Sequence, residues 1–131
     1  MVEEKGVYRD LQYQVLFHDT LGHRCGYVGI PEGFVAYGRA WDDYMIDCHG
    51  GITFSEECDR LGPDLWWIGF DCNHNDGIDI DAIRKYFGDK EAEQRKTWPD
   101  YERRQHFHAY TLEECVEECK HIIDQVLEME G

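Results

Sequence analysis

The sequence lacks the motifs that usually identify an enzyme or a nucleic-acid-binding protein: a nucleophile motif, a glycine-rich phosphate loop and a basic patch. Cations are scarce, with 13 lysines and arginines against 28 aspartates and glutamates, so the net charge is −15. Nucleic acid phosphates and anionic membranes would repel such a chain, which disfavours direct binding to either. A basic protein surface, or a groove that normally accepts nucleic acid, is a more natural partner. The plainer alternative is that the acidity only keeps the protein soluble.

Long apolar runs are also missing. No stretch approaches the length that spans a membrane, and the acidic start of the chain, Met1 to Lys5, lacks the apolar run of a secretory signal. We therefore expect a cytoplasmic protein whose six cysteines are reduced, and there a cysteine is more often a metal ligand or a buried side chain than half of a disulfide. With 42% hydrophobic residues, the 131 residues are expected to form one folded domain, residues 1–131.

The hydrophobic pattern predicts an α+β domain, in which a small antiparallel sheet packs against a long C-terminal helix. Residues 11–17 alternate in the manner of a half-buried strand, and residues 25–30 form the second arm of a hairpin that Pro31 ends. Residues 65–70 are the most apolar run and are predicted as the central strand. Shorter strands are predicted at residues 44–48, 52–54 and 107–110.

Two helices are predicted. Residues 78–87 have helical spacing of apolar side chains and end at Gly88, whereas residues 89–101 are dense in charge and are expected to be exposed. From Thr111 to Glu114 the sequence has the form of a capping box, which predicts that a helix begins at residue 112. Its apolar stripe includes Cys115 and Cys119, which we interpret as core residues.

Cysteines and histidines concentrate at two turns, around Cys48-His49-Gly50-Gly51 and around Cys72-Asn73-His74. Thiolate and imidazole are the ligands that Zn²⁺ takes most readily. We expect a Cys₂His₂ zinc site that staples the fold, formed by Cys25, His49, Cys72 and His74. The sequence alone leaves Cys48 open as an alternative to Cys25.

Two other interpretations compete with zinc. The cysteines are equally typical of small buried core residues, with His49 and His74 capping turns. Residues 71–77 also resemble an oxygen-rich calcium loop, but the register fails. The glycine falls one position late, and Ala82 occupies the twelfth position, where a bidentate glutamate is needed.

Several segments together resemble a family of small proteins encoded by phages and prophages, most of them of unknown function. The matching pieces are GHRCGYVGIPEG at 22–33, YG at 37–38, WDD at 41–43, HGGITF at 49–54 and WWIGFDCNH at 66–74. They follow the family's order over about two-fifths of the chain. The family's Gly-His pair is Gly33-Phe34 here, which removes one possible ligand, and the part from Ile78 onward shows no resemblance.

The resemblance implies a phage-encoded protein of the host cytoplasm, similar to zinc-containing anti-CRISPR proteins that act on an RNA-guided nuclease. In that function the acidic side of the C-terminal helix, with Glu113, Glu117, Asp124 and Glu128, would dock on the basic surface of the nuclease. The rival hypothesis is a metal-dependent hydrolase acting on a nucleotide or signalling molecule. There His49, Asp71, Cys72 and His74 would hold the metal, and Asp43 would be the general base.

Overall fold

A computed structural model describes residues 1–72 and 77–131 and shows an α+β architecture built on a five-stranded antiparallel sheet. The strand order is β1-β2-β3-β5-β4. The strands are β1 (Val2–Tyr8), β2 (Leu11–Phe17), β3 (Arg24–Pro31), β4 (Phe54–Cys58) and β5 (Gly62–Asp71). The helices are α1 (Ile80–Phe87), α2 (Asp89–Arg95), α3 (Tyr101–Arg104) and α4 (Leu112–Glu128), with a short 3₁₀ helix at Trp41–Asp43. In the described ranges, no helix combines the length and the apolar character that a membrane span requires.

Period-two alternation sends one set of strand side chains to the helices. Val15, Val28, Ile30 and Phe70 are buried on the face that α4 covers. Gly26 belongs to this face, because a side chain there would strike the Phe70 ring and the Cys119 sulfur. The close approach of α4 to β3 therefore depends on this glycine.

The capping box that the sequence predicts is present at the start of α4. The Glu114 N–H donates to the Thr111 hydroxyl at 3.1 Å, and the Thr111 N–H donates to the Glu114 carboxylate at 3.0 Å. Cys115 and Cys119 are fully buried in the core, as the stripe indicated. Because both helix-end donors are satisfied locally, the sequence alone fixes where α4 begins.

A second, smaller cluster forms around Phe17, where α1 and α2 pack through Ile83 and Ala92, and Ile78, just before α1, joins them. Phe17 has the same strand parity as Val15, so these helices lie on the face that α4 also covers. The opposite face of the sheet carries half-buried Tyr27 and Phe54, whose rings meet edge to face at 5.3 Å. The described layers are thus one of helices and one of strands.

A buried ion network joins the N-terminal strand to the helices. Arg24 is only 5% exposed, and its guanidinium bonds Glu3 at 2.6 Å, Asp79 at 2.7 Å and the Tyr110 carbonyl at 2.8 Å. Asp79 also caps α1 by accepting from the Ala82 N–H at 3.0 Å. One cation therefore connects β1, β3, the start of α1 and the segment before α4.

The structure corrects four local predictions and adds strand β1. The strand predicted at residues 52–54 begins only at Phe54 and continues to Cys58 as β4. Residues 44–48 are not a strand, since the Asp47 main chain bonds the Gln125 side chain rather than a sheet neighbour. Residues 107–110 are irregular as well. Residues 89–101 contain α2, which buries Ala92 and Arg95 instead of being wholly exposed. Strand β1 was not predicted because it is rich in charged residues. In the structure Arg24 bonds the Glu3 carboxylate, and the Tyr13 hydroxyl donates to the Glu4 carboxylate.

Candidate functional site

The predicted metal ligands come from segments that meet near the end of β5. Cys25 is opposite Asp71 in the β3–β5 register, and the Cys72 N–H donates to the Arg24 carbonyl at 2.9 Å. The turn after His49 also reaches this end, because the position of a Cβ on Gly50 lies 3.7 Å from the Asp71 carbonyl oxygen. His74 lies outside the described residues, so its placement relative to the others is not part of this geometry.

The side chains of the two preferred cysteines point in different directions. Gly26 faces α4, so its neighbour Cys25 points to the opposite face of the sheet, beside Tyr27. Cys72 instead reaches α4, where its sulfur lies 3.8 Å from that of Cys115. Within residues 1–72 and 77–131, no three His, Cys, Asp or Glu side chains are grouped so that they could hold one metal ion. The zinc set therefore stays a prediction.

Cys48, unlike Cys25, lies on the same side of the sheet as Cys72. It packs against the core cluster that also contains Cys72 and Cys115, on the α4 side of the sheet. Burial raises the pKa of the Cys48 thiol to about 12, and it raises the pKa of Cys25 to about 11. Both thiols are protonated at neutral pH, so a metal ion would have to displace their protons on binding.

His49 is held beside the first turns of α4. Its ring centroid lies 4.1 Å from that of Tyr110, and its backbone N–H donates to the Glu118 carboxylate at 3.1 Å. The Tyr110 ring in turn meets His108, whose Nε2 bonds Glu114 at 2.6 Å. These contacts position an imidazole at the surface, whereas Asp43, the predicted general base, lies on the 3₁₀ helix beside Met45 and the end of α4.

The long connection between β3 and β4, residues 32–53, is irregular but tied down at several points. Val35 N–H donates to the Glu130 carboxylate at 2.9 Å, and the Ser55 hydroxyl donates to the Arg39 carbonyl. The Tyr44 hydroxyl donates to the Ala36 carbonyl at 2.6 Å. The Asp47 main chain and the Gln125 side-chain amide exchange two hydrogen bonds of 2.7 Å. The connection is therefore a shaped surface fixed to the C-terminal part of α4.

The acidic side of α4, which the sequence predicted as the docking face, has part of its negative charge neutralised by ion pairs. Asp124 bonds Arg9 at 2.8 Å, and Lys120 lies 3.6 Å from Glu117. The end of the helix differs, because its last turn contains Glu128 and no basic residue. A carboxylate at this end is unfavourable, since the C-terminus of a helix already carries partial negative charge.

Two apolar side chains of the connection are exposed, and neither was predicted to belong to a site. Trp41 is 57% exposed and Met45 is fully exposed, and acidic Asp42 and Asp43 lie between them. The local signal in the sequence is the tryptophan followed by two aspartates, at residues 41–43. Comparisons of this chain with protein-family models, with curated proteins and with solved structures gave no match, so its function has to be argued from its own residues.

Proposed function

We propose that this chain is an acidic binding protein that occupies a basic, nucleic-acid-accepting surface of a host protein. The partner that the sequence resemblance suggests is an RNA-guided nuclease of a CRISPR system. Binding would block the nuclease without chemistry, because an acidic surface competes with nucleic acid for the same cationic groove.

The observation that carries the proposal is where the charge lies. Three arginines are buried, Arg24, Arg95 and Arg104, and among the residues that the structure describes they form ion pairs with the carboxylates of Glu3, Asp79 and Asp100. Three cations against three anions cancel, so the whole net charge of −15 belongs to the rest of the chain. A surface of this charge is attracted over a long distance to a basic partner and repelled by nucleic acid itself.

We also propose that Zn²⁺ contributes to the fold near the end of β5. The proposal is supported by the approach of the His49 turn to Asp71 and by the concentration of thiols there, with Cys72 and Cys115 in contact. Bound zinc would link segments that are distant in sequence. It would add to the contacts that already hold this region, which are the packing of the core and the ring contact between His49 and Tyr110.

The test is an inhibition assay with a panel of purified RNA-guided nucleases, each loaded with its guide. We expect the protein to bind at least one of them and to inhibit DNA cleavage, with inhibition that weakens as the salt concentration rises. DNA without nuclease is the control and should not bind. A panel in which no nuclease binds, or binding that salt does not weaken, would contradict the proposal.

A further inference from the structure

The strongest candidate for a docking surface lies where the β3–β4 connection meets the end of α4. A groove of about 410 Å³ opens there between the two elements. We call it the acidic groove, and it is lined by Arg39, Asp43, Met45, Ile46, Gln125, Glu128 and Met129. We propose that the acidic groove binds a segment of another protein, and that this segment carries an apolar side chain flanked by lysines or arginines. This inference rests on the proposed function and names its docking face.

The apolar part of the surface supports an inserted side chain. Met45 is fully exposed, Met129 and Ile46 line the groove, and Trp41 stands exposed on the 3₁₀ helix that also presents Asp43. Exposed tryptophan and methionine are enriched at protein interfaces, where a few such side chains carry most of the binding energy.

The charge of the groove selects the partner. Two carboxylates, Asp43 and Glu128, outnumber the one cation of the lining, Arg39. Glu128 occupies the last turn of α4 with no basic residue there, and Asp42 faces solvent nearby in the chain. A carboxylate at a helix C-terminus costs stability, and a lysine or arginine of a partner would relieve that cost. A second copy of this chain is disfavoured, because two molecules of charge −15 repel each other.

The groove is also formed in advance. The Asp47–Gln125 and Val35–Glu130 hydrogen bonds fix the connection to α4, so little ordering entropy is lost when a partner binds. A rigid acidic surface with an apolar centre favours a short basic segment over a large flat protein face.

The experiment is an NMR titration of the ¹⁵N-labelled protein with a synthetic peptide of alternating lysine and leucine, at low and at high salt. We expect the largest shifts at residues 41–47 and 125–129, with saturation at low salt. The same peptide with glutamate in place of lysine should not bind. Shifts centred elsewhere would overturn the inference, as would a dimer in sedimentation whose dissociation on dilution shifts residues 41–47 and 125–129.

Charge-reversal variants then distinguish binding at the groove from attraction to the negative charge of the whole protein. The double variant Asp43→Lys/Glu128→Lys should weaken peptide binding at least about tenfold while its melting temperature stays equal or rises, since a lysine suits the end of α4. The matched control, Asp59→Lys/Glu102→Lys, makes the same change in net charge at exposed sites away from the groove and should weaken binding far less. Equal effects of the two double variants would overturn the inference.

Nuclease assays distinguish this inference from the proposed function. Where a nuclease is inhibited, the groove variant should lose inhibition and the control variant should keep it. Inhibition that survives in the groove variant would refute the groove and leave the proposed function standing. Peptide binding at the groove without inhibition of any nuclease would refute the proposed function and leave the groove standing.

Discussion

Gln125 and Asp47 exchange two hydrogen bonds across 78 residues of sequence. The Asp47 N–H donates to Gln125 Oε1, and Gln125 Nε2 donates to the Asp47 carbonyl, each at 2.7 Å. The Gln125 side-chain amide therefore bonds both the N–H and the carbonyl of one residue, as a neighbouring strand would. The pair explains why residues 44–48 keep an irregular path against α4.

Replacing Gln125 with leucine should release this connection. The variant keeps the side-chain size but leaves both main-chain groups of Asp47 without their partner, so we expect the free energy of unfolding to fall by about 1–2 kcal/mol. Urea denaturation measures that loss, and amide exchange should accelerate at residues 44–48. Gln94→Leu, at an exposed glutamine of α2, is the control and should change neither. Unchanged exchange at residues 44–48 would contradict the assigned role.

The buried Arg24 network should dominate stability. Arg24→Met removes a cation whose partner Glu3 is almost fully buried, so an uncompensated carboxylate remains, and we expect a loss of about 3–5 kcal/mol. The exposed pair of Arg9 and Asp124 serves as the control, since Arg9→Met should cost less than about 1 kcal/mol. The free energy of unfolding of both variants checks this, and similar losses would show that burial does not set the contribution of Arg24.

His23 should make the fold sensitive to mild acid. Its side chain is 7% exposed, its Nδ1 has no hydrogen-bond partner among the described residues, and its ring stacks on His18 at 5.2 Å. Burial, followed by the nearby His18 and Arg104, lowers the pKa of His23 from 6.5 to about 4, although Asp71 opposes the shift. Between these two pH values the unfolded chain binds a proton that the folded chain does not.

Stability should therefore fall as the pH decreases from about 6.5 to about 4, by an amount on the order of 3 kcal/mol for this one group. Urea denaturation across this pH range measures the slope. His23→Phe should flatten it, whereas His106→Phe, at an exposed histidine, should not. An equal slope in wild type and in His23→Phe would assign the acid sensitivity to other groups.

Zinc removal tests the proposed metal. Structural zinc contributes about 10–16 kcal/mol in small domains, which rivals a whole domain's stability of about 5–15 kcal/mol. We expect chelation to lower the melting temperature strongly, and Cys72→Ser and His49→Ala to lower the zinc content. Cys58→Ser, at the far end of β4, is the control. Native mass spectrometry that finds a compact chain without metal would refute the proposal.

Some of the fold could be predicted because its signals are local. The alternation of Leu11–Phe17 and the reciprocal bonds of Thr111 and Glu114 are each decided within a few neighbouring residues, and the structure confirms both. Strand β1 could not be predicted, since its charges are stabilised by Arg24, Tyr13 and Tyr86, which are distant in sequence. The candidate site was predicted as a set of residue types, but the faces to which Cys25 and Cys72 point follow from strand register.

The sequence by itself determined an acidic α+β domain, the start of α4 and its apolar stripe, because charge, capping and periodicity need no distant partner. Only the tertiary structure decided that Cys25 and Cys72 face different ways and that Met45 stands exposed beside the end of α4. The physical reason is that strand pairing and side-chain hydrogen bonds act between segments far apart in the chain. The strand pattern gives the alternation, while the partner across the fold decides which side is buried.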